Sequence, residues 1–373
     1  MKALVLTAAM LASSTAFAQT SVPAGADAPA AQPAGPAPAP APAIAPRADE
    51  WKPTLKMSGL IVPQWFHEFR TGAASKIGSD QFVLSRARIG ARGEILPKLE
   101  YRVTYALESG SETIWDALKD SYLEYGAIPH HEIRFGKFKT PFGYEQPESE
   151  VRLLPINRSY VTSSLGKGED SRDIGAGAWG DWELTEAVAA EYALAVVNGN
   201  FAEDETTVDD LPQKNVFARA GVRARLVGGT LTGHGSYSQG NVSSNATQAS
   251  RLKVTRAGAD VTYDHKRLWI AAEYIAGTDD DLAGARTDKA GWYALVAPRF
   301  PWAGGVTSVM LRYEVYDKNT GTAARDDVRK RVTYGLVHDL NPKVRIMANF
   351  EDDHSDQPVA KPDKVIFQTL VSF

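Results

Sequence analysis

Leu99-Glu100-Tyr101-Arg102-Val103-Thr104-Tyr105-Ala106-Leu107-Glu108 carries an apolar or aromatic side chain at every odd position and mostly polar ones between. A period of two belongs to a β-strand with one greasy face and one wet face; a helix would repeat near 3.6. The same beat runs through Val216, Ala218, Ala220, Val222, Ala224 and Leu226, interleaved with Arg219, Arg223 and Arg225. It returns in Val344, Ile346, Ala348 and Phe350, and again in Val365, Phe367, Thr369, Val371 and Phe373.

Working outward, 16 strands are predicted, near 54–69, 80–95, 98–109, 115–126, 131–139, 171–182, 186–198 and 214–226, then 229–240, 252–264, 267–276, 290–299, 306–317, 328–339, 343–353 and 363–373. Their connections alternate. Every second one is short, as at Pro97, Gly228 and Asn341-Pro342. The others are long and polar, and 140–170 is the longest. A soluble β-sandwich also alternates, but its strands are shorter and need no rule of long and short connections. The pattern therefore predicts an all-β fold: a 16-stranded antiparallel transmembrane β-barrel with short periplasmic turns and long extracellular loops. Tyr101, Tyr125, Trp182, Tyr263, Phe300 and Phe373 fall near the short-turn ends, where an aromatic girdle is expected.

The first 50 residues read differently. Lys2, the apolar run Ala3–Leu11 and Ala16-Phe17-Ala18 form a signal-peptide pattern over residues 1–18. Residues 19–50, rich in Ala and Pro, are read as a disordered tether, and 51–373 as the barrel. The 373 residues carry 41 Lys+Arg against 45 Asp+Glu, a net charge of −4 that argues against nucleic-acid binding. The absence of Cys excludes thiol nucleophiles, disulfides and Cys–zinc sites. No G-x-S-x-G or comparable nucleophile pattern occurs, so no enzyme, catalytic residue, metal or cofactor is expected.

Leu84-Ser85-Arg86-Ala87-Arg88-Ile89-Gly90-Ala91-Arg92-Gly93 resembles an early barrel strand of the phosphate-selective porin O and P family. So does Asp120-Ser121-Tyr122-Leu123-Glu124-Tyr125, followed by Ile133-Arg134-Phe135-Gly136-Lys137-Phe138-Lys139-Thr140-Pro141-Phe142-Gly143. The resemblance covers the chain from about residue 54. It implies a homotrimeric 16-stranded pore in the outer membrane, a third loop folded inward, and passage of phosphate or related anions. Phe373 resembles the signal read by the barrel assembly machinery. The expected surroundings are outer-membrane lipid and lipopolysaccharide.

Arg86, Arg88 and Arg92 share parity, opposite to Val83, Ala87, Ile89 and Ala91, so with apolar side chains facing lipid the three guanidiniums enter the lumen. An arginine facing lipid at mid-bilayer costs about 2–4 kcal/mol, which favours the inward reading. Arg102 joins them; Arg219, Arg223 and Arg225 form a second row, and Arg329 with Arg331 a third. Arg134, Lys137, Lys139, Arg152 and Arg158 extend the candidate anion path toward loop 140–170. Lys137 and Lys139 have parity opposite to Arg134, so a bulge or twist is expected between them. The same parity puts Glu100, Glu108, Asp120, Glu124, Asp173, Glu191, Asp260, Glu273, Glu314 and Glu351 inside. Two readings stay open: an anion ladder of permanent charges, or a charge-paired wall. The second fits a general or organic-solute porin; an outer-membrane enzyme or a plugged structural or adhesin barrel are the remaining rivals.

Overall fold

The computed structural model describes residues 51–69, 79–108, 117–167, 171–198, 213–243, 251–281, 285–321, 328–354 and 362–373. The leader and tether segments lie outside them. Sixteen antiparallel strands close into one barrel: β1 Lys56–Glu68, β2 Asp80–Leu96, β3 Leu99–Ala106, β4 Leu118–Tyr125, β5 His131–Lys139, β6 Arg172–Glu183, β7 Val188–Val197 and β8 Asn215–Leu226 form one half. The other half is β9 Gly229–Ser243, β10 Arg251–His265, β11 Leu268–Asp280, β12 Arg286–Trp302, β13 Gly305–Asp317, β14 Val328–Asn341, β15 Val344–Asp353 and β16 Lys364–Ser372. Each strand pairs with its sequence neighbours, and β16 returns to β1, so no edge is left with unpaired backbone. Several strands exceed their expected spans; β12 reaches 17 residues where about ten were predicted.

The closing β1–β16 ladder runs from Leu60 opposite Ser372 to Glu68 opposite Lys364, and two backbone bonds between Gly59 and Phe373, N to O at 2.8 Å and 3.1 Å, extend it. The register between β1 and β2 shifts at Val62/Pro63, where proline has no N–H to give the ladder. The short turns hold the positive-φ residues that a tight reversal demands, among them Lys98, His130, Gly228 and Ala303-Gly304. Phe82, Ile89, Phe135, Leu194, Leu311 and Phe367 stand exposed on the outer face, as alternation requires of a lipid-facing wall. Tyr125, Trp182, Phe300 and Phe373 are exposed near the short-turn ends.

The inner face departs from a uniformly polar lining. Ala271, Leu295, Ala297, Met310, Val337 and Met347 share one buried cluster with Leu154. Val197, Phe217, Val254, Ile275, Tyr293 and Tyr316 share another with Phe138, Phe142, Tyr160, Val161 and Leu165. The physical reason is the third loop, between β5 and β6. It lies inside the barrel and covers much of the wall from β7 to β15, making a hydrophobic core where a bare pore would need polar groups. The helix α1, Tyr160–Leu165, belongs to this loop, and the Ser159 hydroxyl caps it by accepting from Thr162 N at 3.0 Å.

Candidate functional site

The loop is launched by Arg134-Phe135-Gly136-Lys137-Phe138-Lys139-Thr140-Pro141-Phe142-Gly143. Arg134 stays on the wall, donating to Glu124 at 2.7 Å, with its guanidinium 4.4 Å from the Tyr122 ring centroid and 4.2 Å from that of Trp179. Gly136 has φ 129°, and a Cβ there would run into the Ser121 carbonyl. The expected change of aim between Arg134 and the two lysines falls at this glycine: Lys137 is buried, and Lys139 donates to the Glu148 carbonyl of the loop at 2.6 Å. Gly143 has φ 64° and lies against the Glu273 carboxylate. Its N–H donates to Ser236 Oγ at 3.1 Å, and Tyr144 N–H donates to Glu273 Oε1 at 2.9 Å.

Irregular backbone at membrane depth must find partners within the protein. Four wall arginines supply them. Arg345 donates to the Val151 and Leu153 carbonyls at 2.9 and 3.0 Å. Arg312 donates to Asn157 O at 3.0 Å, Arg331 to Arg158 O at 3.0 Å, and Arg256 to Leu165 O at 3.1 Å. Wall carboxylates take the loop's N–H groups in return, as Glu314 does for Tyr160 N at 2.5 Å. Arg312, Arg256 and Arg345 were absent from the sequence-derived path, although each shares parity with inward residues. Isolated arginines carry no row signal; their shared parity with Glu314, Asp260 and Met347 was the available clue.

Substituting Gly143 with alanine tests this seating. Left-handed backbone plus a collision with Glu273 predicts a loss of about 1–3 kcal/mol, read as a lower thermal unfolding temperature together with noisier single-channel current. A variant with wild-type unfolding and quiet current would show that the loop is not held there.

A cavity of about 750 Å³ lies between the loop and the wall formed by β1–β4 and β14–β16. Arg86, Arg88 and Arg158 reach it, and so do Lys119, Glu108 and Glu150. Arg86 forks onto Glu150, Nε to Oε2 at 2.9 Å and Nη2 to Oε1 at 3.2 Å. Arg158 approaches the same carboxylate at 3.3 Å, and Arg88 pairs with Glu108 at 2.9 Å. Burial pushes the Glu150 carboxyl up, but the charge and hydrogen bond of Arg86, with Arg88 and Arg158, outweigh it and hold the group at about 2.

The other predicted path residues are dispersed. Arg331 is buried between Glu314 at 2.5 Å and Glu351 at 3.1 Å, and Arg219 is held by Asp260 at 2.5 Å. Arg223 meets Glu191 and Arg225 meets Glu183, each at 3.2 Å. Arg152 pairs with Glu148 at 2.6 Å on the loop surface, and Arg329 lies 5.7 Å from the Tyr160 ring centroid. Arg92 and Arg102 are exposed on neighbouring strands.

Known proteins bear on this geometry. An anion-selective porin from Comamonas acidovorans superimposes with a TM-score of 0.59 at 13% identity, covering 86% of this chain and 100% of its own. OmpT, an outer membrane protein of Vibrio cholerae in its trimer form, gives 0.57 at 15% identity over 86% and 99%. The outer membrane channel DcaP of Acinetobacter baumannii gives 0.59 at 10% identity over 86% and 97%. These likenesses concern the fold. No curated protein sequence matches. The Gram-negative porin family matches residues 5–358. By that match, which spans β1 to β15 and the inward loop, the chain belongs to the Gram-negative porin family.

Proposed function

We propose that this porin is a passive outer-membrane channel for small hydrophilic solutes, with a modest preference for anions. The observation that carries this reading is the slot itself, where Arg86, Arg88 and Arg158 face Glu108 and Glu150 at hydrogen-bond distance. Charges so paired leave little net potential, so a solute is sorted mainly by size and by its ability to exchange water for these donors and acceptors. Solutes carrying both charges, or strong dipoles, suit such a slot. No chemical step and no cofactor enter the mechanism.

The narrower reading, phosphate or polyphosphate passage, draws on the sequence resemblance and on the described selectivity of the Comamonas neighbour. Its structural support is local. Arg92 and Arg102 sit opposite one another between the slot and the short-turn end, Arg102 sharing Asp120 with Arg172, and they supply the proposed anion bias. A homotrimer fits the trimeric form described for the Vibrio neighbour.

Reversal potentials in a potassium chloride gradient test the proposal. The expected chloride preference is below about tenfold, because opposed charges keep the ion free-energy difference within about 1.4 kcal/mol. Cation preference would reject the anion bias, and selectivity far beyond tenfold would reject the paired slot.

A further inference from the structure

We propose that the slot selects small zwitterions with an apolar side chain, the class of leucine and similar α-amino acids. The proposal rests on the reading of the barrel as an open channel and names the solute that two unlike faces of the slot fit together. One face is the charged set, with Arg86 and Arg88 on β2. Beside it runs hydrocarbon. Leu60 on β1 is directly opposite Arg88, and Val62 is directly opposite Arg86. Both line the same cavity, as does Leu370 of the neighbouring β16. Opposed residues of antiparallel strands lie about 4.5–5.5 Å apart, so the apolar stripe begins one strand away from the guanidiniums.

A barrel wall that only wets a pore places polar side chains inside and apolar ones outside. Leu60 and Val62 break that rule. Elsewhere the inward apolar residues are covered by the third loop, as Leu295 and Met310 are in the cluster with Leu154. Here a cavity separates wall from loop, and the loop adds Leu153 and Ile156 to the same lining. Leu60 and Ile156 are half-buried and present surface to the cavity, while Val62, Leu153 and Leu370 are buried and contribute only their edges. Apolar surface left against water is unfavourable, and a hydrocarbon group that displaces the water recovers that free energy.

The charged face decides the other end of the solute. Glu150 accepts from Arg86 and has Arg158 at 3.3 Å, and Glu108 accepts from Arg88. A solute with a single charge that breaks into such pairs satisfies one partner and leaves the other without its counter-charge. A zwitterion exchanges both at once: its carboxylate accepts from guanidinium N–H groups, and its ammonium donates to a carboxylate. In an α-amino acid both charges and the side chain leave one carbon, which suits charge pairs and hydrocarbon set on adjacent strands. A polar zwitterion of equal size would give up hydration of its side chain against Leu60 and Ile156 with no hydrogen bond in return, so it is held less well. Because Leu60 and Ile156 bury only part of a guest, the hold stays weak enough for release.

The test uses purified full-length protein in planar bilayers and reads block of chloride current. The probes are leucine, glutamine as a polar zwitterion of similar size, 4-methylpentanoate as leucine's skeleton without the ammonium, and 3-methylbutylammonium as the skeleton without the carboxylate. Leucine is expected to half-block at a concentration about tenfold below each of the others. Glutamine as effective as leucine overturns the apolar face, and either singly charged probe as effective as leucine overturns the need for both charges. In Leu60→Asn the advantage of leucine over glutamine is expected to shrink to about threefold or less. An unchanged advantage overturns the assignment to this stripe. Should Leu60→Asn fail to fold, the ranking of the probes on the wild type decides by itself. A silent wild-type barrel would reject the channel reading instead. Calorimetric titration then decides the slot separately: leucine bound more tightly than glutamine supports the proposal, and no leucine heat overturns it.

Discussion

Replacing Arg312 with alanine is expected to unseat the inward loop and destabilise the barrel by about 3–5 kcal/mol, the range seen when one member of a buried ion pair is removed. Arg312 has no exposed surface. It donates to Glu145 Oε1 at 3.2 Å, Asn157 O at 3.0 Å and Glu314 Oε1 at 3.4 Å. Truncation strands two carboxylates and one loop carbonyl in a water-poor interior. Arg331 still neutralises Glu314, so Glu145 and the Asn157 carbonyl bear most of the loss. Once the loop swings away, single-channel conductance rises and current noise grows, while the unfolding temperature falls. Replacing Arg312 with methionine together with Glu145→Gln removes the stranded charge and is expected to restore part of the stability. An alanine variant with wild-type conductance and unfolding would mean that the loop is held chiefly by its apolar contacts around Leu154 and Val161.

The barrel was legible because its signal is repeated. Period-2 alternation recurs in strand after strand, and each repetition confirms the facing of the last. Ile89 points to lipid for the same reason that Arg86 and Arg88 point inward, but Phe82 shares their parity and faces lipid only because the register shifts at Ser85, a bulge that turns the predicted outward Val83 inward. The site was legible only in part. Parity told which arginines enter the lumen, not which carboxylate each would meet there. Glu150 belongs to the loop, and no spacing rule connects it to Arg86, 64 residues earlier. Leu295, Met310 and Val337 contradict a water-filled interior until the loop that covers them is placed. The change of aim at Gly136 was visible as a parity conflict, and the glycine that resolves it stood in the quoted motif.

The largest shift in selectivity is expected from Glu150→Gln. In the wild type one carboxylate neutralises Arg86 and Arg158 and lies 4.0 Å from Arg88. Glutamine keeps the shape and some hydrogen bonding but withdraws the charge, leaving three guanidiniums around one cavity with Glu108 as the near counter-charge. Chloride preference is expected to rise by about tenfold, equivalent to about 1.4 kcal/mol of added attraction. The measurement belongs at about 0.1 M salt or below, where the Debye length of about 10 Å lets the exposed part of the field act. Protonation offers a second route to the same state. Because Arg86 and its neighbours hold the Glu150 carboxyl at about 2, the wild type keeps its charge from pH 7 down through pH 4. Selectivity is therefore expected to stay flat over that window and to turn toward anions only as pH approaches about 2. Glu150→Gln should already sit at the anion-preferring level at pH 7. A wild type whose selectivity swings between pH 7 and pH 5 would point to other titrating groups as the controlling charge. Glu150→Gln with unchanged reversal potential would mean that ions bypass the slot between the loop and β2.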